Sequence, residues 1–174
     1  MARRVFFSFH FGRDSWRANQ VRMANVVAGP DIAGFFDHSE YIEAKKAGPA
    51  GIRAMILRHL KDTTVTVVLI GLETAKRPWV KHEIAESIRR HNGLLGIRIH
   101  HLKLPPNAPP QWGSTQPFPI PGPTPSVPLG VQFPVYAWDG DLARFKREIE
   151  AAGKRSGNRR ARIALAEMIR RRFR

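Results

Sequence analysis

The sequence predicts an α/β domain with a mostly parallel central sheet, and three observations carry that expectation. Short apolar runs alternate with segments of helical period. The runs RVFFSF at 4–9 and TVTVVLI at 64–70 are apolar nearly throughout, as strands covered on both faces are. A chain of 174 residues, 43% hydrophobic and 25% charged, is long enough and balanced enough to bury a core.

RVFFSF is the first strand. Residues 14–27 follow as a helix, with Asp14 at its N-cap. GFFD at 34–37 reads as a second, short strand. Residues 49–60 place Ile52, Met55, Ile56 and Leu60 at helical spacing, and Pro49 suits a first turn. TVTVVLI is the clearest strand, because β-branched residues dominate it. A loop at 71–78 leads into a helix at 79–91, with Val80, Ile84, Ser87 and Ile88 on one face and Asn92-Gly93 as the stop. LLGIRIHHL at 94–102 is a further strand. Residues 104–134 contain 11 prolines and no charged group, so polyproline II or irregular loop is expected there as an insertion. VYAW at 135–138 is a last edge strand and residues 141–151 a helix. KRSGN at 154–158 reads as a linker, and residues 159–174 as a basic helix with Ile163, Ala166, Ile169 and Phe173 on one stripe. The expected organisation is one domain over 1–153 with its insertion, then a basic linker and helix over 154–174.

Composition excludes several functions. Zero Cys rules out a disulfide scaffold, a thiolate zinc site and a Cys nucleophile. No apolar run reaches the roughly 18 residues of a membrane helix. The start, MARRVFFSFHFGRDS, lacks a small-residue cleavage site, so no signal peptide is expected and the address is cytoplasmic. Of the net charge of +15, residues 154–174 supply nine basic groups against one acidic. Such a tail attracts nucleic acid or anionic membrane without specifying either.

Ligands of open α/β sheets bind outside the carboxyl ends of the strands. Three segments fall there: FHFGRD at 9–14, DHSEY at 37–41, and residues 73–83. They offer the carboxylates Asp14, Asp37 and Glu83, the imidazoles His10, His38 and His82, and the aromatics Phe9, Trp16 and Trp79. No P-loop, GxGxxG, HExxH or GxSxG signature is present. A metal site of His10, His38 and a carboxylate has only weak support, because no short-range ligand spacing exists, and none is expected. The most specific local pattern is Trp79-Val-Lys-His-Glu83, where helical spacing sets a ring beside a carboxylate. Spacing alone also allows Trp79 to pack on the loop and Glu83 to act on the helix dipole.

RVFFSFHFGRD (4–14), GFFDHSE (34–40), TVTVVLIGLETAKRPWVKHEI (64–84), LLGIRIHHLK (94–103) and VYAWDGDL (135–142) together resemble the TIR-like domain of the bacterial Thoeris anti-phage system. Phe7-Ser8-Phe9-His10 and Asp14 fit the first-strand TIR pattern F-I-S-Y-S followed by Asp. Trp79 and Glu83 fit the pattern S-x-W-C-x-x-E, with Val80 in place of the Cys. The likeness spans about residues 4–152, apart from the Pro-rich segment.

The resemblance implies a flavodoxin-like, three-layer fold and NAD⁺ as a substrate rather than a bound cofactor. It implies that phage infection triggers cleavage of the nicotinamide–ribose bond. The product would be a cyclic or modified ADP-ribose messenger that activates a separate effector. Glu83 falls on the catalytic glutamate. Phe9 and Trp79 are candidates to stack on the substrate's rings, and Arg13, Arg17 or the amides opening the first helix to take its pyrophosphate. Asp37 and His38 are candidates for the ribose or adenine. His10 and Asp14 are further candidates to bind the substrate, and their loop, 10–16, is with the Pro-rich segment a candidate lid. Homo-oligomerisation and a phage-derived trigger fit the same picture. Two other readings fit the residues: a non-catalytic TIR-like module that binds proteins, and nucleic-acid binding through the basic tail.

Overall fold

The structure is a computed structural model that describes residues 4–27, 38–108 and 132–157. Its elements are β1 (Val5–Ser8), α1 (Phe11–Val27), α2 (His38–Lys46), α3 (Gly48–Leu60), β2 (Val65–Ile70), a 3-10 turn (Thr74–Lys76), α4 (Pro78–Arg89), β3 (Gly93–Arg98), β4 (Val135–Ala137) and α5 (Leu142–Gly157). The strands form one sheet in the order β1-β2-β3-β4, and every pairing is parallel. All four strands therefore end at one edge, which is where chemistry gathers in such sheets.

Helices cover both faces, giving the three expected layers. Val5 and Phe7 of β1, Val65, Val67 and Leu69 of β2, and Leu95 and Ile97 of β3 point to one side. There they pack on Ala18 and Val21 of α1 and on Phe145, Ile149 and Ala152 of α5. Phe6 turns the other way, onto Ile52, Met55, Ile56 and Leu60 of α3. Val68, Ile70 and Leu94 meet Val80, Ile84 and Ile88 of α4 on that same side. Burial on both faces explains why these strands are apolar without alternation.

One polar network crosses the second layer. Thr66 Oγ1 donates to Ser87 Oγ at 2.8 Å, and Ser87 Oγ donates to the Glu83 carbonyl at 2.6 Å. Asn92 Nδ2 reaches Thr66 Oγ1 at 3.2 Å and Thr63 Oγ1 at 2.9 Å. Satisfied buried groups of this kind fix register more sharply than apolar contact does. They seat α4 on β2 one turn below the Glu83 side chain.

Several elements differ from expectation. α1 begins at Phe11, so Asp14 lies in its first turn rather than at the cap. The amides of Arg13 and Asp14 bond to the His10 carbonyl instead. His38 to Tyr41 of the DHSEY segment lie in a helix, α2. α4 ends through His91, whose φ of 61° supplies the left-handed turn just before Asn92-Gly93, where the sequence places the stop. α5 runs on through residues 154–157, which read as a linker. Its last turn is pinned by Arg155 Nη2 on the Leu94 carbonyl at 3.3 Å and by Ser156 on the His91 carbonyl. The strand expected at 34–37, most of the Pro-rich segment and the basic helix at 159–174 lie outside the described residues. Among the described residues no helix is long and apolar enough to cross a membrane, and no group of three or more acidic or imidazole side chains is placed to hold a metal ion.

Gly93 has its own reason to be glycine. A Cβ there would sit 1.9 Å from the Ala152 carbonyl oxygen, a backbone atom of α5. Gly93→Ala must push α5 off the sheet, so it should lower unfolding free energy by about 3 kcal/mol, the upper range for overpacking. Urea denaturation of the two proteins measures this directly.

Candidate active site

Glu83 lies on α4, at the carboxyl edge of the sheet, with only 6% of its surface exposed. The cause is local. Glu83 adjoins Ile84 on the helix face that the sheet covers, and side chains of a helix lean toward its N-terminus. Ser8, the last residue of β1, is buried on the same side of the sheet as Phe6 and donates from Oγ to Glu83 Oε2 at 2.5 Å. Burial pushes the Glu83 carboxyl up to about 8, and the Ser8 hydrogen bond pulls the other way. The carboxyl is thus mostly neutral at pH 7 and close to ionisation, the poise expected of a group that reacts.

Aromatic side chains border this carboxyl. Tyr41 of α2 feels the Glu83 charge: burial and then that charge raise the phenol's pKa. The Phe11 ring stacks on Tyr41 at 4.3 Å between centroids, and Phe9 lies 5.8 Å from Phe11. Trp79 is half-buried with Tyr41 against Phe6, Ile52, Met55, Ile56 and Leu60, and meets His82 edge-on at 5.9 Å. Trp79 therefore anchors α4 to α3 at the rim of the site.

The residues that follow β1 form a second cluster with the loop between β2 and α4. Asp14 is buried, with Oδ1 3.6 Å from Arg17 Nη1 and Oδ2 3.5 Å from Thr74 Oγ1. Arg17 is also buried, and its Nε donates to the Leu102 carbonyl at 3.0 Å. Burial raises Asp14 to about 6, with Arg17 and Arg13 opposing it. Gly71 leaves the space this carboxylate fills, since a Cβ there would lie 2.1 Å from Asp14 Oδ2. Arg13 lies farther out, 2.9 Å from Glu73, and Arg77 closes on the same carboxylate at 2.5 Å. His10 is half-buried, and burial, then the Arg77 charge, lower it to about 4.

The structure thus sorts the residues expected at the site. Glu83 and Trp79 belong with the carboxyl and its aromatic border, whereas Phe9 packs with the core on the α1 and α5 face and meets that border through Phe11. Arg13, Asp14 and His10 belong to the charged cluster, and Arg17 is committed to Asp14 and the backbone. Asp37 lies outside the described residues, and His38 is placed only as the first residue of α2. Tyr41, Glu73, Thr74 and Arg77 were not singled out by the sequence, and Ser8 was named only within the first-strand pattern. Ser8 did leave a signal: it is the one polar residue of VFFS, at the strand's carboxyl end. A cavity of about 170 Å³ opens elsewhere, between His91, Leu94, Phe133 and Arg155 at the amino ends of β3 and β4. It shares no residue with the carboxyl site.

Residues 6–104 match the family model described as Thoeris protein ThsB, TIR-like domain. The chain is 37% identical over 150 residues to a Bacillus cereus (strain MSX-D12) protein named "Putative cyclic ADP-D-ribose synthase ThsB1". That match covers 80% of this chain and 73% of the Bacillus protein.

The Glu83 carboxyl makes stability depend on pH with a definite sign. Its folded pKa of about 8 stands above the ordinary 4.5. Its favourable contribution is complete below pH 4.5 and is lost as pH rises through 8. Glu83→Gln keeps the acceptor for Ser8 and cannot ionise. The variant should match wild type near pH 4.5 and exceed its stability by roughly 2–5 kcal/mol above pH 8. Denaturant unfolding at both pH values reads the difference.

Proposed function

The chain belongs to the Thoeris ThsB TIR-like family, and from that premise we propose that it cleaves the nicotinamide–ribose bond of NAD⁺ in anti-phage defence. The product is a cyclic ADP-ribose-type messenger for a separate effector. The observation that carries this reading is the buried Glu83 carboxyl, hydrogen-bonded by Ser8 and bordered by aromatic rings, at the carboxyl edge of a parallel sheet. The name of the Bacillus relative supports the same reaction class.

The reaction needs little machinery. When the bond between the pyridinium nitrogen and ribose C1′ breaks, its electron pair goes to the nitrogen, and nicotinamide leaves neutral. No general acid is required. Positive charge develops on C1′ and the ring oxygen, as in glycoside cleavage. An ionised Glu83 stabilises that charge and holds the ribose hydroxyls. Free Glu83 is mostly neutral at pH 7. The substrate's own cationic ring favours the ionised form, so binding readies the site. Capture of C1′ by a nucleophile of the adenosine half closes a ring, whereas capture by water yields open ADP-ribose. Capture by a hydroxyl releases a proton that the carboxylate can accept. Phe11, Tyr41 and Trp79 provide flat apolar surface for the two bases and limit water at C1′.

Mass spectrometry of extracts from phage-infected cells tests the assignment. Wild type should release nicotinamide and form an ADP-ribose product, and Glu83→Gln should form neither while remaining folded. Equal release by both proteins would remove Glu83 from the mechanism. Absence of turnover in verified infections would favour a protein-binding module instead.

The ionised form is the working one, so kcat/KM for nicotinamide release should rise with pH and level off above about 8. Ser8→Ala removes the donor to that form. It should lower kcat and move the rising limb up by about one pH unit, and Ser8→Thr should restore both. Initial rates across pH 5.5–9.5 (a window set roughly by the two plateaus) check this.

A further inference from the structure

Beside the carboxyl site sits an ion-paired cluster that the cleavage mechanism leaves unused. The Glu73 carboxylate bridges two arginines from different elements. Its Oε1 meets Arg13 Nη1 of α1 at 2.9 Å, and its Oε2 meets Arg77 Nη2, just before α4, at 2.5 Å. All three side chains are partly open to solvent. Other polar atoms here have no partner: Arg77 Nε and His10 Nδ1 are both buried without a hydrogen bond. Two guanidiniums, one carboxylate and an unsatisfied N–H leave a surplus of one positive charge and at least one donor unused.

We propose that Arg13 and Arg77 form the diphosphate subsite of this enzyme and that Glu73 occupies it in the resting state as an internal anion, which the substrate displaces. This rests on the reading of the chain as NAD⁺-cleaving. Four features of the geometry argue for it. First, a diphosphate diester carries two negative charges, which matches two guanidiniums once the carboxylate has swung out. Second, the separate oxygens of Glu73 on separate arginines mimic two phosphoryl groups side by side. Third, the place is right. Arg77 precedes Glu83 by six residues, about 9 Å along a helix, and the Glu83 side chain leans back toward it. In NAD⁺ the diphosphate is one ribose away from C1′. Fourth, Arg17, the other arginine of this edge, is buried on Asp14 and the Leu102 carbonyl and is not free for a ligand.

Glu73 is also the right kind of gate. The two arginines hold its carboxyl below the ordinary range, so it is ionised throughout physiological pH. Half-exposed ion pairs are weak, so a ligand with two charges can break them. The gate excludes monoanions, which gain too little to displace a bidentate carboxylate. His10 stays neutral beside the arginines and therefore adds no competing ion pair.

Removing the negative side chain of Glu73, which touches no catalytic atom, should tighten binding. ADP-ribose is the probe, because it carries the diphosphate but no bond for the enzyme to cleave. Calorimetric titration into the intact chain should show Glu73→Gln binding ADP-ribose roughly three- to tenfold more tightly than wild type. Arg77→Gln should weaken it by a similar factor, and adenosine should bind all three proteins alike. Thermal unfolding confirms that each variant is folded. Glu73→Gln with unchanged or weaker ADP-ribose affinity would overturn the gate and leave Glu73 as a tie between α1 and the loop. Binding to none of the three proteins would overturn it equally. The titration does not depend on Glu83. A tightened Glu73→Gln together with a Glu83→Gln that still releases nicotinamide would keep the subsite and reject the catalytic reading.

Discussion

The hydrogen bond from Ser8 to Glu83 joins the first strand to the fourth helix inside the protein, and the chemistry proposed here depends on it. A carboxyl buried this deeply is costly when ionised, because protein surroundings solvate charge poorly. One donor at 2.5 Å from Oε2 is a small compensation. It leaves the group near pKa 8 instead of driving it wholly neutral. A carboxyl poised there can be switched by the charge of the molecule that arrives. The supporting structure is arranged to hold it still. Below the carboxyl, Thr66, Ser87 and Asn92 fix the register of α4 on β2. Above it, Trp79 packs α4 onto the α3 layer.

An all-parallel sheet makes the rest of the site follow. Because β1 and β2 end at the same edge, the segments that leave them are neighbours. The segment after β1 supplies His10 and Arg13, and the segment after β2 supplies Glu73, Thr74 and Arg77. Asp14, Arg17 and Thr74 bind these segments together in the interior, with Gly71 leaving room for the carboxylate. The outer pairs among Arg13, Glu73 and Arg77 are open and exchangeable. In the proposed reading the edge divides its labour: a dry carboxyl with rings for the reacting ribose, and a wetter charged cluster for the anionic part of the same molecule.

Strands and helices were legible where the physics is local. TVTVVLI had to be a covered strand, and the apolar spacing of Ile52, Met55, Ile56 and Leu60 had to be a helix face. Glu83 was legible only through the likeness to a known motif, since Trp79 and Glu83 one turn apart also describe an ordinary helix start. Tertiary facts stayed hidden. Nothing in the spacing reveals that Ser8 and Glu83 touch across 75 residues, or that Glu73 bridges Arg13 and Arg77. The helix end misled for a related reason. Asn92-Gly93 looked like the stop, but His91 takes the left-handed turn and Gly93 is needed where α5 presses on β3. Likewise KRSG looked like a linker because its anchors, the carbonyls of His91 and Leu94, lie far back in the chain.

The most direct measurement is a carbon-13 NMR titration of the Glu83 carboxyl, assigned by difference from Glu83→Gln. It is run on the free protein and again with an NAD⁺ analogue whose ribosyl ring oxygen is replaced by methylene. The account predicts a midpoint near 8 in the free protein and a lower one when the cationic analogue is bound. A midpoint near the ordinary carboxylate value of about 4, unmoved by the analogue, would contradict it.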